Sequence, residues 1–453
     1  MRVLAYKPGP PAQTIRMERL ITCEPLELEY IYTVLKNHNV TLLDGMCDKR
    51  DPVRLARKIK AEVVFITAFV VNIPQVLRMA RRLKNLHRPP LVFVGGPHAE
   101  VVPEHFFDEH VDGVFFADQL NAASQTLDLL ERGEDYRKTP GAAFQNSSGF
   151  VRNPSPPVDP SSMVIPKRVL LEKNPDRYFY MYFKRCASVK TAFGCTNSCR
   201  FCFCTRMNNG VYGARPIRDV VEEIAGIEVE NIFILDDNFL SSKKRVLEFC
   251  RMVEERGLKK NYIIYGTSDF ISKHPDIMAE LKKIGLAAVL VGFEFIKDES
   301  LAGVNKKARV GDNDRAVEIC GDLGIELFTL FMIDPDWKDD DFRDLARYVR
   351  NRGLTFATYG TYTVLPGTES AENESGPLSP FWRYDLLRLH SAPLHMSQWR
   401  YYLWLLYLYM MPALHRPSRK RMQERFGRFG ALRLSVESLG IGLQFMMKLA
   451  VWK

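Results

Sequence analysis

The chain has 453 residues, too many for one ordinary core, and its 46% hydrophobic and 26% charged residues exclude a disordered chain in favour of two folded domains plus an extension. Its net charge of +9 sits at one end: from Phe381 onward there are twelve Lys/Arg against three Asp/Glu, which excludes a uniformly basic enzyme and points to a local anionic surface. The start MRVLAYKPGPP lacks the apolar core of a secretory signal, and nine cysteines, an odd number, argue against a disulfide framework, so a cytoplasmic location is expected.

Residues 1–150 alternate strand and helix patterns: RVLAY, EPLELEYIYTVLKNH, VTLLDG, DPVRLARKIKA, EVVFITAF, NIPQVLRMARRLKNL, PPLVFVGGPHA and DGVFFAD. Continuous Val/Ile/Phe runs between amphipathic helices predict a parallel sheet covered on both faces, a doubly wound α/β domain. Five prolines between Asn153 and Pro166 break regular structure and mark residues 151–181 as a linker. From 182 to 380 the runs VKTAF, NIFILDD, NYIIYGTSD, AAVLVGFE, ELFTLFMID and ATYGTYTVLPG give six strand–helix units, a partial barrel with polar residues at the carboxyl ends of its strands. Residues 381–453 form a helical, basic extension, in which the uncharged stretch Tyr401–Leu414 is fourteen residues, short of the ~20 that span a bilayer.

In the stretch GCTNSCRFCFC, Cys195, Cys199 and Cys202 form C-x3-C-x2-C, with Cys204 one residue beyond. Three thiolates from one tight loop can hold three irons of a [4Fe–4S] cube and leave the fourth open for an outside ligand. A tetrahedral zinc site would pair two distant knuckles, and no second CxxC or CxxH occurs.

That spacing, with Phe201 before the last cysteine and a strand before the first, resembles the radical S-adenosylmethionine (SAM) superfamily. The resemblance implies an open iron that binds SAM, a 5′-deoxyadenosyl radical formed by reduction, Phe201 beside the adenine, and Cys204 outside the ligand set. Leu235-Asp236-Asp237-Asn238-Phe239 stands where relatives meet the SAM amino group, a place where a carboxylate suits an ammonium; capping of the next helix is the plainer role for Asp236 or Asp237. Gly292-Phe293-Glu294 resembles a segment of the cobalamin-binding branch, with Phe295 where a small hydroxyl residue is usual, and Leu365-Pro366-Gly367-Thr368-Glu369 resembles its P-G-T turn. Ser268 occupies the place from which relatives often send an arginine to the SAM carboxylate.

A doubly wound domain ahead of such a barrel resembles a cobalamin-binding domain. The matching residues are Thr67 in Ile66-Thr67-Ala68-Phe69 and Gly95, Gly96, Pro97 and His98 in Val94-Gly95-Gly96-Pro97-His98-Ala99, with glycines where backbone must approach a ligand. Two departures stand out: residues 7–24 hold no Asp or His, so the histidine motif for cobalt is absent, and Ala117-Asp118-Gln119-Leu120 replaces an acidic glycine-rich segment. His98 as a helix cap, and a domain that has lost its cobalamin, are the alternatives.

Cys23-Glu24-Pro25-Leu26-Glu27-Leu28-Glu29, Cys186-Ala187-Ser188 and Ile333-Asp334-Pro335-Asp336-Trp337 resemble the hopanoid C-3 methylases, a similarity running roughly to residue 435. It implies methylation of an unactivated carbon in a polycyclic lipid, through a SAM-derived radical and methylcobalamin, with a low-potential donor such as flavodoxin or ferredoxin; no general base is nominated. Trp399–Leu414 followed by Arg416, Arg419, Lys420, Arg421, Arg425 and Arg428 suits a helix lying on an anionic membrane face, so contact through residues 399–428 is expected. The rivals are an ordinary packing helix and an RNA-binding tail; the aromatics lie in one apolar block and do not alternate with Arg, so no nucleic acid is expected. A cyclase similar to the anaerobic magnesium-protoporphyrin ester cyclases, and a non-catalytic sensor, are the alternative functions.

Overall fold

The structure is a computed structural model that describes residues 1–15, 17–155, 157–372 and 380–450. Strands β1 (Arg2–Lys7), β3 (Asn39–Asp44), β4 (Val63–Thr67), β5 (Leu91–Gly95) and β6 (Gly113–Phe115) pair in parallel in the order β3-β1-β4-β5-β6, while β2 (Ile21–Thr22) lies outside that sheet. Every side chain from Val3 to Ala5 is fully buried because helices cover both faces. Leu4, Val64 and Val94 pack on one side with Ile73, Val76 and Leu83, and Val3, Phe65 and Phe93 on the other with Leu127 and Phe144.

The sheet is not purely parallel, as expected from the sequence. β7 (Ala142–Asn146) and β8 (Gly149–Arg152) add an antiparallel hairpin beyond β6, turned through Gly149 with φ +117°. Nor is the 151–181 segment a plain spacer. Its second half holds the helix Val169–Lys173 and β9 (Phe179–Tyr180), and β9 pairs antiparallel with both β2 and β10 (Phe183–Lys184).

The second module begins at β11 (Cys186–Val189), where the expected strand VKTAF breaks. Lys190 and Thr191 interrupt it, and β12 (Ala192–Phe193) turns aside to pair with β13 (Gly213–Ala214). β14 (Asn231–Ile234), β15 (Asn261–Gly266), β16 (Leu286–Glu294), β17 (Glu326–Ile333) and β18 (Phe356–Thr361) then follow β11 in a six-stranded parallel sheet in that order, the partial barrel. Its outer core joins Ile232, Ile264, Val289 and Val291 to helix residues such as Val246, Ile277 and Leu345.

One face of the helix Gln398–Leu414 packs on the barrel, while Trp399, Leu403 and Leu414 elsewhere on it are exposed. Tyr401, Tyr402, Leu405, Leu408 and Met411 are buried against the barrel. Tyr401 Oη donates to Ile333 O (3.1 Å), Tyr409 Oη to Tyr359 O (2.6 Å) and Trp404 Nε1 to Asp339 Oδ1 (2.7 Å). Hydroxyl and indole groups that find barrel partners make this a packing helix. The final helix, Arg416–Ala450, breaks at Gly427 (φ +68°, ψ 171°). Among the described residues, no helix is long and apolar enough to cross a membrane.

Candidate functional site

The cysteine loop follows β12 through Gly194, whose φ of +71° a side chain resists and whose Cβ would lie 2.7 Å from Val211 O. Neighbouring segments hold the loop down. Arg200 N donates to Val304 O (3.1 Å), Asn305 Nδ2 to Ser198 O (2.7 Å), and Ser370 N to Arg200 O (3.1 Å). Arg200 Nε also meets Glu369 (3.1 Å), in the P-G-T segment that the sequence singled out.

Cys199 is buried, Cys195, Cys202 and Cys204 are half-buried, and all four thiols are free. Burial is the main force on two of the proposed ligands: it raises Cys195 and pushes Cys199 up to about 11, against the pull of Lys306. Cys202 is lowered, chiefly by a hydrogen bond from the Cys204 thiol, which is itself driven well up. Among the described residues no group of three or more His, Cys, Asp or Glu is gathered to hold a single metal ion. A cube places each thiolate on a different iron, a wider arrangement, and metal binding supplies the deprotonation that burial resists.

Sequence-predicted residues converge on this loop. Asp237 and Glu294 both act on Cys202, and Asp237 acts on Cys195 as well. Glu294 ends β16 with φ +55° and pairs with Lys306 at 2.9 Å; a Cβ on Gly292 would collide with its carboxylate. Phe201 is half-buried between the last two cysteines of the motif.

Asp236 is committed elsewhere. Its carboxylate accepts from Thr191 N (2.6 Å), Ala192 N (3.0 Å) and the Thr191 hydroxyl, so it pins the chain entering the cysteine loop. The free polar atoms lie beside it. Asp237 Oδ2, Asn238 Oδ1 and Ser268 Oγ are buried at the carboxyl ends of β14 and β15 without hydrogen-bond partners among the described residues, with Lys190 Nζ 3.6 Å from Asp237. Buried polar atoms left unpaired are costly, and a ligand with ammonium and hydroxyl donors fits them. Lys190 and Lys306 are site residues that the sequence reading missed. Lys190 Nζ donates to Leu235 O (3.0 Å) from the interruption after β11, and a lone lysine after a strand carries no signal by itself.

The other half of the expected site lies on the N-terminal module. Thr67 Oγ1 is buried without a partner, and Gly96 (φ +99°) comes so close that a Cβ there would sit 2.5 Å from it. A polar atom beside a side-chain-free turn fits the amide-rich rim of cobalamin. Gln119, from the segment that departs from the family pattern, covers the same turn: Gly96 N donates to its Oε1 (2.7 Å), which also lies 2.7 Å from a Cβ built on Gly95. His98 does not cap the helix near Pro103. It is buried within the helix Pro97–Val101, its Nε2 is 2.9 Å from His105 Nδ1, and burial pushes it down to about 3, which keeps it neutral.

The two halves face each other. A cavity of about 50 Å³ lies between Phe69, Val70, Pro97, His98 and Val101 of the first module and Phe203, Leu365 and Pro366 of the second. Asn208 N donates to Glu100 Oε1 across the same seam (2.5 Å), and Gly367 is packed so tightly that a Cβ would lie 2.7 Å from Val102 Cγ2.

The family model of the B12 binding domain matches residues 14–125, and that of the radical SAM superfamily matches residues 189–349. The hopanoid C-3 methylase of Methylococcus capsulatus is 27% identical over 84% of this chain and 73% of its own length. Among solved structures, the radical SAM methyltransferase TsrM from Kitasatospora setae superposes with a TM-score of 0.66 at 18% identity, covering 82% of this chain and 76% of TsrM. The cobalamin-dependent SAM radical enzyme OxsB superposes with 0.72 at 12% identity, covering 99% of this chain and 80% of OxsB. The two domain matches lie on either side of the seam, each centred on the half of the site described for it, and together they imply a [4Fe–4S] cluster, SAM and cobalamin: the chain belongs to the radical SAM enzymes that carry a B12 binding domain.

Proposed function

We propose that this enzyme methylates an unactivated carbon of a polycyclic, hopanoid-like lipid. The observation that carries the reading is the 27% identity to the hopanoid C-3 methylase over 84% of the chain. The seam supports it: Phe69, Val70, Pro97, Val101, Phe203, Leu365 and Pro366 are apolar, and the one polar lining residue, His98, is held neutral. An apolar lining favours an apolar group over one bearing carboxylates, which needs cations there, and a space of about 50 Å³ admits an edge of such a skeleton and not the whole.

When bound, the cluster with SAM supplies hydrogen-atom abstraction and cobalamin supplies the methyl group. On this reading Cys195, Cys199 and Cys202 hold the cluster, and Phe201 packs on the adenine. Asp237, Asn238 and Ser268 offer their unpaired atoms to the polar end of SAM, Glu294 lies with Lys306 at the far wall, and Asp236 keeps the loop in register. Thr67, Gly95, Gly96, Pro97 and His98 form the cobalamin-facing turn. The tight seam keeps water from the radical. A cytoplasmic location and a small low-potential donor, flavodoxin or ferredoxin, belong to the same reading.

The test is to express the chain in a host making polycyclic lipids, feed methyl-labelled SAM precursor and extract the lipids. Label in a lipid, absent with Cys199→Ala, is the expected result. Formation of 5′-deoxyadenosine by the purified, anaerobically reconstituted enzyme with no label in any lipid removes the lipid reading and favours the cyclase.

A further inference from the structure

The final helix changes character along its length. Its first part is seated: Met422 and Ala431 are buried, and Phe426 packs on Tyr182 (4.7 Å between ring centroids) and Phe356 (5.8 Å). Beyond Ala431 the burial reverses. Leu432, Val436 and Leu439 are 62%, 57% and 45% exposed, and their spacing of four and three residues puts them on one face. The break at Gly427 precedes this segment.

Cations frame that stripe. Arg428 lies one turn before Leu432 on the same face and Arg433 on its flank, both exposed. Arg416 and Arg419 are exposed on the earlier turns, and none of these four has an acidic partner among the described residues. From Leu414 to Leu439 there are seven Lys/Arg and two acids, Glu437 and Glu424, the latter 3.6 Å from Lys420. An apolar stripe edged by arginines suits a bilayer interface, where the aliphatic groups enter the acyl boundary and the guanidinium groups stay among the headgroups. A second copy of the chain fits poorly, because a self-complementary contact brings two strongly basic segments together.

We propose that residues 428–439 dock the enzyme on an anionic lipid bilayer. The surface differs from the packed helix Gln398–Leu414, and it goes beyond the methylation reading, since it rests on exposure and charge and holds for any substrate. Docking sets the enzyme at the compartment where a polycyclic lipid resides.

The experiment is flotation of the full-length protein with vesicles of phosphatidylglycerol and phosphatidylcholine, compared with phosphatidylcholine alone. The protein floats with the anionic vesicles and is released when salt rises from about 0.1 M to about 0.5 M. Leu432→Glu with Val436→Glu weakens vesicle binding by about tenfold or more at low salt, and Arg428→Gln with Arg433→Gln removes the preference for phosphatidylglycerol. All four sites are exposed, so an unchanged thermal midpoint reports an intact fold. Absence of flotation, or flotation indifferent to both double variants, overturns the proposal. So does a dimer in sedimentation that Leu432→Glu dissolves while vesicles are ignored, or tRNA binding that the arginine variants abolish without any vesicle binding. Failure of lipid labelling leaves flotation unchanged, so the two readings fail separately.

Discussion

The same side chain does opposite things at the module junction and on the tail. At the junction, Arg168 Nη1 donates to both oxygens of Glu24 (2.8 and 2.7 Å) and to Ser188 O (2.8 Å), and its Nη2 to Glu223 Oε1 (2.5 Å). Arg215 Nη1 meets the other oxygen of Glu223 at 2.6 Å, and Ser188 N donates to Glu24 Oε2 at 2.7 Å. No side chain in the group is more than 7% exposed. On the tail, Arg428 and Arg433 are exposed, with no acid beside them among the described residues. Enclosed and paired with carboxylates, guanidinium groups fix geometry, joining the first module, the linker and the first barrel strand. Open and unpartnered, they contribute little to the fold and leave a surface free for an outside anion.

Arg168→Ala should cost the most, about 3–5 kcal/mol, because it leaves Glu24 buried without a cation and takes one of two cations from Glu223. Denaturant unfolding measures it, and a loss under 1 kcal/mol would remove the junction from the argument. Next comes Glu29, whose Oε1 accepts from Leu170 N (2.8 Å) while Oε2 has no partner. Burial pushes its pKa up to about 8 from an ordinary 4.5. Between those values the folded chain holds a proton that the unfolded chain has released, so stability falls as pH rises from about 5 to about 8. Glu29→Gln should flatten that slope in thermal unfolding at a series of pH values.

Asp236→Asn should cost about 1–3 kcal/mol, as one acceptor facing two amides is lost. Iron and sulfide content should fall with it, whereas Ser268→Ala should spare the cluster; equal iron in both variants would leave Asp236 no part in shaping the loop. Arg433→Gln should be the mildest, within about 0.5 kcal/mol by denaturant. A larger loss would show that the tail is seated like the junction.

Sequence periodicity located most strands because parallel strands buried on both faces read as continuous apolar runs, as in RVLAY and EVVFIT. It failed at VKTAF, which alternates like a strand. The break there is imposed by Asp236, 45 residues downstream, whose carboxylate takes the Thr191 amide from any ladder. The cysteine motif was visible as local spacing. The division of labour between Asp236 and Asp237 was not, since adjacent carboxylates differ only in what the fold brings to them. Lys306 was equally hidden, its partner Glu294 ending a strand on another turn of the barrel. The aromatic block from Trp399 misled for the same reason: its tyrosine hydroxyls reach backbone carbonyls of β17 and β18 that no local pattern reveals.

The Arg168 junction also sets a timetable. Glu24 meets Arg168 across 144 residues, and Arg168 meets Glu223 across a further 55. At roughly 5–20 residues per second on the ribosome, the carboxylate of Glu24 emerges some 10–40 s before the last member of its group. An ionised side chain cannot be enclosed ahead of its partners. The nascent first module therefore keeps the turn around Glu24 hydrated and its flank unsealed until the first barrel helix has been made, so the junction closes late in synthesis.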